Sequence, residues 1–318
     1  MPRLVAAALA ILLAVASAAR AQPLGIGTNP QGTLTYALGA AVSKVLADAG
    51  RMQSRVQPSS GSGTMIPLVN SGEIDIGFCN TLELYDSFHG VGTFDKRPNP
   101  KLRTIAVIFP IKVGLFVRND SPIRSIRDMK GRTISYGYAS QEVIKLTVDA
   151  MLATEGMTIN ELRPVLVPNL VRGVDDFMAG RVEISTFAIG SAKVSEADAS
   201  VGGLRYVGLG NTPEALAALK KVFRTGYIDK VEPAPTRPGV REPLFTLHYD
   251  YTVFGNADVP NDRIKLVTRL ITENKEALGQ GQPMFREMAL ERLFTHIDVP
   301  FHAGAVAYYG EKNIKEIR

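Results

Sequence analysis

The sequence is poor in the residues that mark a disulfide-stapled or metal-binding protein. Its 318 residues include one Cys, four His and no Trp. A single Cys excludes a disulfide within the chain and any cysteine-rich metal cluster. The histidines are scattered and form no His-x-His or HExxH pattern. We therefore expect neither a zinc site nor any other cofactor.

Further absences narrow the class of protein. The net charge of +5 is spread along the chain without a block of five or more basic residues, so nucleic acid is not an expected partner. The first glycine loop matches neither GxGxxG nor GxxxxGK[ST], and GxSxG and SxxK do not occur. Nucleotide-binding and serine-hydrolase functions are therefore not predicted. With 45% hydrophobic and 21% charged residues, the chain has an ordinary globular composition.

The N-terminus has the pattern of an export signal. Arg3 precedes an apolar run over residues 4–19, which is too short for a comfortable membrane span, and Ala19-Arg20-Ala21 follows it. We expect a signal peptide over residues 1–21, cleavage before Gln22 and a periplasmic protein, with an uncleaved anchor as the alternative. The lone Cys79 agrees with an exported protein that folds without disulfides.

Short apolar segments alternate with helical ones, which indicates an α/β fold. We predict strands at 24–27, 54–57, 74–79, 133–136, 163–167, 182–188 and 244–254, with residues 102–117 as two strands broken at Pro110. The helical pattern occupies 34–49, 65–71, 141–154, 174–179 and 263–278, and another helix lies near the C-terminus.

The pattern also repeats along the chain. Gly72-Glu73-Ile74-Asp75-Ile76 returns as Gly180-Arg181-Val182-Glu183-Ile184, and a glycine ends the first strand of each series. We interpret this as two lobes on one β-α-β-α-β plan with a ligand cleft between them, although helix–glycine–strand is common enough for coincidence. Lobe 1 would comprise residues 22–116 and 247–318, and lobe 2 residues 117–246.

Loops after these strands carry the candidate binding residues. The first loop presents small and polar groups at the start of a helix, where free N–H groups suit an anion: Thr28, Asn29, Gly32 and Thr33. The second repeats this design with Ser60, Gly61 and Ser62. Helix capping by Thr33 and a flexible Ser/Gly loop are the structural alternatives.

Further candidates follow the third strand and the strands of the second series: Asn80, Thr81, Tyr138, Ser140, Gln141, Gly190 and Ser191. Asn80 either caps the next helix or orients a ligand. Cys79 is expected to be a buried apolar residue, and Lys193 either meets an anion or lies at the surface. Tyr249 and Tyr251 line the cleft or pack within a strand.

The order and spacing of these motifs resemble the solute receptors of TRAP transporters of the TAXI type. Residues 27–33 with Tyr36 are similar to that family's GTGxxGGTYY loop, residues 57–62 to QATGGS, and residues 68–78 to LxxGExDxxF. The resemblance covers nearly all of the chain after residue 21 and adds Tyr36 to the site. Two departures alter the cleft, because residues 137–142 form a shorter loop than the family's GAPGSGTE and Asn80 replaces a longer Gln.

The resemblance implies a two-lobed, type II-like periplasmic-binding-protein fold and a solute-binding subunit of a secondary transporter. Such a protein would close around a small organic acid or amino acid and deliver it to membrane subunits. Two alternatives stay open. One is an exported protein that presents ligand occupancy to a membrane sensor. The other is an enzyme on the same fold, which is not expected because no nucleophile–base pair is visible.

Overall fold

The computed structural model describes residues 22–317, so the expected signal peptide and its cleavage site lie outside the described residues. The strands are β1 Leu24–Thr28, β2 Ser54–Pro58, β3 Ile76–Asn80, β4 Leu102–Arg118, β5 Thr133–Gly137, β6 Arg163–Val167, β7 Ser185–Ala188, β8 Leu204–Val207, β9 Tyr227–Val231 and β10 Leu244–Asn256. The α-helices are α1 Leu34–Gly50, α2 Ser62–Ser71, α3 Thr81–His89, α4 Glu142–Ala153, α5 Leu170–Met178, α6 Ala192–Ser200, α7 Pro213–Val222, α8 Asn261–Glu273, α9 Lys275–Gly281 and α10 Ala303–Glu311.

Parallel strands build a first unit from residues 24–80. β1 lies between β2 and β3 and is parallel to both, with α1 and α2 as the crossovers. A second unit over residues 133–188 has the same order. β5 pairs in parallel with β6 on one side and bridges Ile184, just before β7, on the other. The carboxyl ends of parallel strands meet at one edge, so the loops after them gather there.

Two long antiparallel strands connect the units. β4 and β10 pair from Leu247 beside Val113 to Asn256 beside Leu102. At one end β10 pairs with β3, and at the other β4 pairs with β7 and β8. The order β2-β1-β3-β10-β4-β7 therefore runs through both units within the described residues.

The prediction of two strands broken at Pro110 is wrong. Residues 102–118 form one strand, in which Pro110 stands opposite Asp250. β7 and β8 pair with β4 only from Val113 onward, so neither needs the N–H that proline lacks. A register shift beside this position, between Tyr251 and Thr252 of β10, accommodates the irregularity.

Several other boundaries differ from the sequence pattern. The helix predicted for 263–278 is two helices, because Asn274 leaves helical geometry between α8 and α9. α2 and α5 begin earlier than expected, at Ser62 and Leu170. The sequence analysis also did not predict α6, α7, β8 and β9, which are short segments of four to ten residues.

Amphipathic helices cover the sheet. On α1 the fully buried Leu38, Val42 and Leu46 recur every four residues on one face. Thr33 caps the helix by accepting a hydrogen bond from the Tyr36 N–H, and Arg51 ends it in the left-handed conformation, with φ 50°. Its buried face packs with β1, β3 and α8 into the main core.

Candidate functional site

A small cavity of about 50 Å³ lies where the loops of the two units meet, and we call it the cleft cavity. Five of its lining residues are among those predicted from the sequence: Asn29, Thr33, Ser62, Asn80 and Gln141. The others are Leu34, Thr35, Glu83, Ile111, Val143, Ile144, Leu170, Phe187, Ala188, Tyr249 and Tyr251. The cavity therefore has a largely apolar wall with a few polar groups, a composition typical of small-molecule sites.

The first loop is held by its own hydrogen bonds. The Thr33 hydroxyl donates to the Pro30 carbonyl at 2.7 Å and accepts from the Tyr36 N–H at 3.3 Å, so the predicted capping role of Thr33 is present beside its place on the cavity wall. Gly32 has φ 89°, a left-handed conformation that glycine adopts at no steric cost. Thr28 is fully buried, and its Oγ1 has no hydrogen-bond partner among the described residues.

Glu83 is the charged group of the cleft. Its side chain is 5% exposed, one carboxylate oxygen accepts from the Ser62 hydroxyl, and the other accepts from Asn80 Nδ2 at 2.6 Å. Asn80 Oδ1 accepts from the Glu83 N–H at 2.8 Å, so Asn80 also caps α3. Burial and, to a smaller extent, the charge of Asp86 raise the pKa of the Glu83 carboxyl to about 7, against the opposing effect of the donors Ser62 and Asn80.

The loops of the two units touch at Gly61. A Cβ built on Gly61 would lie 1.8 Å from the Ser140 carbonyl oxygen and 2.6 Å from Gln141 Cγ. Only a residue without a side chain permits this approach. A second cavity of about 190 Å³, the side cavity, opens beside the contact between the same two loops and shares Glu83 and Val143 with the cleft cavity.

Gln141 presents an amide donor from the second unit. Its Oε1 accepts from the Leu170 N–H at 2.8 Å, which fixes the orientation of the amide. The remaining amide nitrogen, Nε2, is buried without a partner among the described residues. Asn29 Oδ1 of the first unit is likewise buried without a hydrogen-bond partner among the described residues. Buried polar atoms without partners are rare in folded proteins, and these two line one cavity.

Strand β10 supplies the aromatic wall. Tyr249 and Tyr251 are 4% and 8% exposed and both line the cleft cavity, which decides the question that their sequence left open. Burial raises the pKa of both phenols, and the charge of Glu83 adds to the effect. Both side chains therefore stay neutral at physiological pH.

A cation from the second half of the chain holds the outer side of α3. The Arg224 guanidinium donates to the carboxylate of Asp86 and lies 4.5 Å from the centroid of the Tyr85 ring. Asp86 is 4% exposed. Burial raises the pKa of its carboxyl, and Arg224 opposes that shift. We call this contact of Arg224 with Tyr85 and Asp86 the latch.

Other predicted residues lie away from the cavity wall. Tyr138 is fully buried, and its hydroxyl donates to the Ser135 carbonyl at 2.8 Å. Ser60 is exposed and pairs with Thr64, while Tyr36 is partly buried in α1. Thr81 is buried at the start of α3, and Ser140 lines the side cavity. Gly190 and Ser191 follow β7, and Ser191 Oγ is buried without a partner among residues 22–317.

Cys79 and Lys193, which the sequence analysis also considered, have structural roles. Cys79 is fully buried with its Sγ 3.9 Å from Thr252 Oγ1, so the expectation of a buried apolar residue is confirmed. Lys193 is 7% exposed and forms ion pairs with Asp175 and Glu196, both at 2.8 Å. It therefore neither lies on the cavity wall nor projects freely into solvent.

The sequence analysis missed Glu83. The spacing Asn80-x-x-Glu83 is the signature of a helix capping box, and that interpretation conceals a side chain that faces a cavity. A signal was available in the sequence. Glu83 is an acidic residue in the first turn of a helix, and the strand before that helix ends in the cleft.

Residues 22–317 contain neither a side-chain cluster suited to a metal ion nor a helix suited to crossing a membrane. Within residues 22–317, His, Cys, Asp and Glu form no cluster of three or more suited to a metal ion. Over the same range, no helix combines the length and apolar character that a membrane crossing requires.

The two parallel β-α units, the paired connecting strands and the cavity at the loop edge define a two-lobed α/β protein of the periplasmic-binding-protein type. The chain belongs to the NMT1-like family, whose model matches residues 26–312. It is similar in structure to PhnD1 from Prochlorococcus marinus in complex with methylphosphonate, with 12% identity, a TM-score of 0.57, and coverage of 92% of this chain and 97% of that one. It is also similar to AbpA, an amino acid ABC transporter substrate-binding protein from Streptococcus pneumoniae bound to L-arginine, with 13% identity, a TM-score of 0.50, and coverage of 83% and 95%. At these identities the likeness establishes the fold.

Proposed function

We propose that the protein is an exported solute-binding protein that captures a small polar molecule between two lobes and delivers it to membrane subunits of a transporter. One observation carries the proposal. Asn29 Oδ1 and Gln141 Nε2, from different units, are buried and unpartnered among the described residues, and they line the same cavity. A ligand bound there would satisfy both atoms and hold the units together.

The lobes of this proposal are residues 22–116 with 247–318 and residues 117–246. Their connections would lie in β4 and β10, which pair side by side between the units. Two contacts would then link the lobes around the cavity, Gly61 with Ser140 and the latch, while Asn29 and Gln141 line the cavity from the two sides. Closure would exclude water from the ligand and create a surface that membrane subunits recognise.

The transporter is proposed to be of the TRAP type with a receptor of the TAXI subtype. The support is the order of the GTNPQGT, QPSSGS and GEIDIGF motifs along the chain. The first two motifs lie in loops at the edge of the first unit, and Asn29, Thr33 and Ser62 from them line the cleft cavity. The ligand is a small carboxylate or an amino acid, of a size that the cavity could hold once the lobes open.

Binding and transport are tested separately. The exported protein is titrated with matched organic acids and amino acids, and the melting temperature is followed at rising ligand concentration. Uptake of a stabilising solute is then measured in cells with and without the gene. We expect a concentration-dependent rise in melting temperature and a loss of uptake on deletion.

Each other result contradicts a defined part of the proposal. The absence of stabilisation by every solute contradicts solute binding. Binding with unchanged uptake contradicts the transport role and favours a sensor partner. Conversion of the solute over hours, followed by mass spectrometry, contradicts a receptor and favours an enzyme.

A further inference from the structure

We infer that the ligand carries an amino group that faces Glu83, so that the solutes are amino acids or other amines rather than organic acids without nitrogen. The inference rests on the proposed function and names the ligand class of the same site. The binding site is then not a simple anion cradle, because its one charged side chain, Glu83, is a hydrogen-bond acceptor.

The hydrogen bonds around Glu83 favour its ionised form. Asn80 Nδ2 donates to one carboxylate oxygen, and because Asn80 Oδ1 accepts from the Glu83 N–H, the amide orientation is fixed. The Ser62 hydroxyl donates to the other oxygen. Each carboxylate oxygen keeps a further lone pair, so the group can accept a hydrogen bond from a ligand.

The wall of the cleft cavity contains no cation to balance this charge. Among the described residues that line it, none is Lys or Arg, and Glu83 is the one charged side chain. A ligand with two carboxylates would bring two more negative charges beside a buried carboxylate, which is unfavourable at low dielectric. A ligand ammonium group would supply the missing positive charge as a charge-assisted hydrogen bond.

The two unpartnered atoms complete a polarity pattern. Asn29 Oδ1 in the first unit is an acceptor, like Glu83, whereas Gln141 Nε2 in the second unit is a donor. A molecule with donors at one end and an acceptor at the other satisfies this arrangement. The zwitterionic head group of an amino acid has both, with the ammonium directed toward the first unit and the carboxylate toward Gln141.

The acidity of Glu83 supports this assignment. Burial raises the pKa of its carboxyl to about 7, so a nearby ammonium group would lower that pKa and release a proton near neutral pH. The other titratable or charged groups that face Glu83 are Asp86 on α3, Cys79 on β3, Tyr249 and Tyr251 on β10, and Arg97 and Glu142 across the side cavity. The phenols and the thiol stay protonated at pH 7, and Arg224 opposes protonation of Asp86, so Glu83 is the expected source of the proton.

Matched pairs of solutes test the ligand class. Isothermal titration of the exported protein compares L-alanine with L-lactate, L-leucine with 2-hydroxyisocaproate, and L-glutamate with 2-hydroxyglutarate. Each pair differs by an amino group against a hydroxyl. We expect the amino member of the best-bound pair to bind at least about tenfold more tightly, equivalent to about 1.4 kcal/mol. Titrations in buffers of different ionisation enthalpy should detect proton release at pH 7.

Glu83→Gln is the informative variant, since it keeps the shape of the side chain and removes the charge. It should erase the preference for the amino member and abolish proton release. Glu73→Gln, an exposed acid outside both cavities, is the matched control and should change neither. Circular dichroism confirms that both variants are folded.

The outcomes separate this inference from the proposed function. Equal or tighter binding of the hydroxy acids overturns the amino-group inference and leaves solute binding intact. A preference for amines that persists in Glu83→Gln overturns the role of Glu83. If no member of any pair binds, the proposed function fails together with the inference.

Discussion

A buried carboxyl group makes the stability of this protein depend on pH in a predictable direction. Because burial raises the pKa of Glu83 from 4.5 to about 7, the folded protein holds a proton there that the unfolded chain releases above about pH 4.5. In the ligand-free protein this carboxyl therefore contributes stability that is lost as pH rises from 5 to 8, whereas His248, whose pKa burial lowers to about 4, contributes in the opposite direction.

Glu83→Gln should remove this loss. Relative to the wild type, the free energy of unfolding of the variant should rise between pH 5 and pH 8 by up to about 3 kcal/mol, because each pKa unit corresponds to about 1.4 kcal/mol. Urea unfolding at both pH values measures it. Glu73→Gln should follow the wild-type profile, and parallel profiles for wild type and Glu83→Gln would contradict the assignment.

A single glycine sets how closely the two loops approach. Gly61→Ala places a Cβ against the Ser140 carbonyl, so the loops must separate before the cavity can close. We expect a melting temperature close to that of the wild type but ligand affinity at least about tenfold weaker. In Gly63→Ala the new Cβ would lie 3.9 Å from the same oxygen, an ordinary contact, so its affinity should be unchanged. Equal affinities in the two variants would exclude the contact from closure.

At the level of elements, the repeated glycine motifs allowed most strands of both units to be predicted, because strand, turn and helix signals agreed there. The prediction failed at Pro110. Proline usually ends a strand, but it is tolerated where one edge of the strand has no partner in the sheet. α6 was missed because its sequence AKVSEADAS has few apolar residues. The sequence alone could not assign Tyr249 and Tyr251 to the cleft. The residues that these side chains face depend on how β10 pairs with β3 and β4.

The latch joins α3 to the segment after α7. Arg224→Gln leaves the buried Asp86 without its cation, and Arg224 is itself half exposed, so we expect a loss of about 1 kcal/mol in stability. Ligand should also dissociate faster, because the contact holds the proposed lobes together. Stopped-flow dissociation and urea unfolding measure the two effects. Lys221→Gln, on the exposed last turn of α7, is the control, and identical dissociation rates would contradict a role in closure.

For the whole molecule, closure should change the distance between the units. Ala40 on α1 and Ala199 on α6 are exposed positions in the two proposed lobes, and cysteine replacement there provides sites for spin labels. The native Cys79 is fully buried and should not react. We expect ligand to shorten and narrow the measured distance distribution. An unchanged distribution at saturating ligand would contradict lobe closure.

The pairing of β3 with β10 also determines when the first unit can complete its sheet during synthesis or export. Tyr251 of β10 lies beside Asn80 of β3, so the first unit acquires this edge only after most of the chain has been synthesised or exported. Until then one edge of β3 has unpaired backbone N–H and C=O groups. Such an edge promotes aggregation, and pairing between segments that are distant in sequence slows folding. The binding site therefore cannot be completed until β10, which lies late in the sequence, is available to pair with β3.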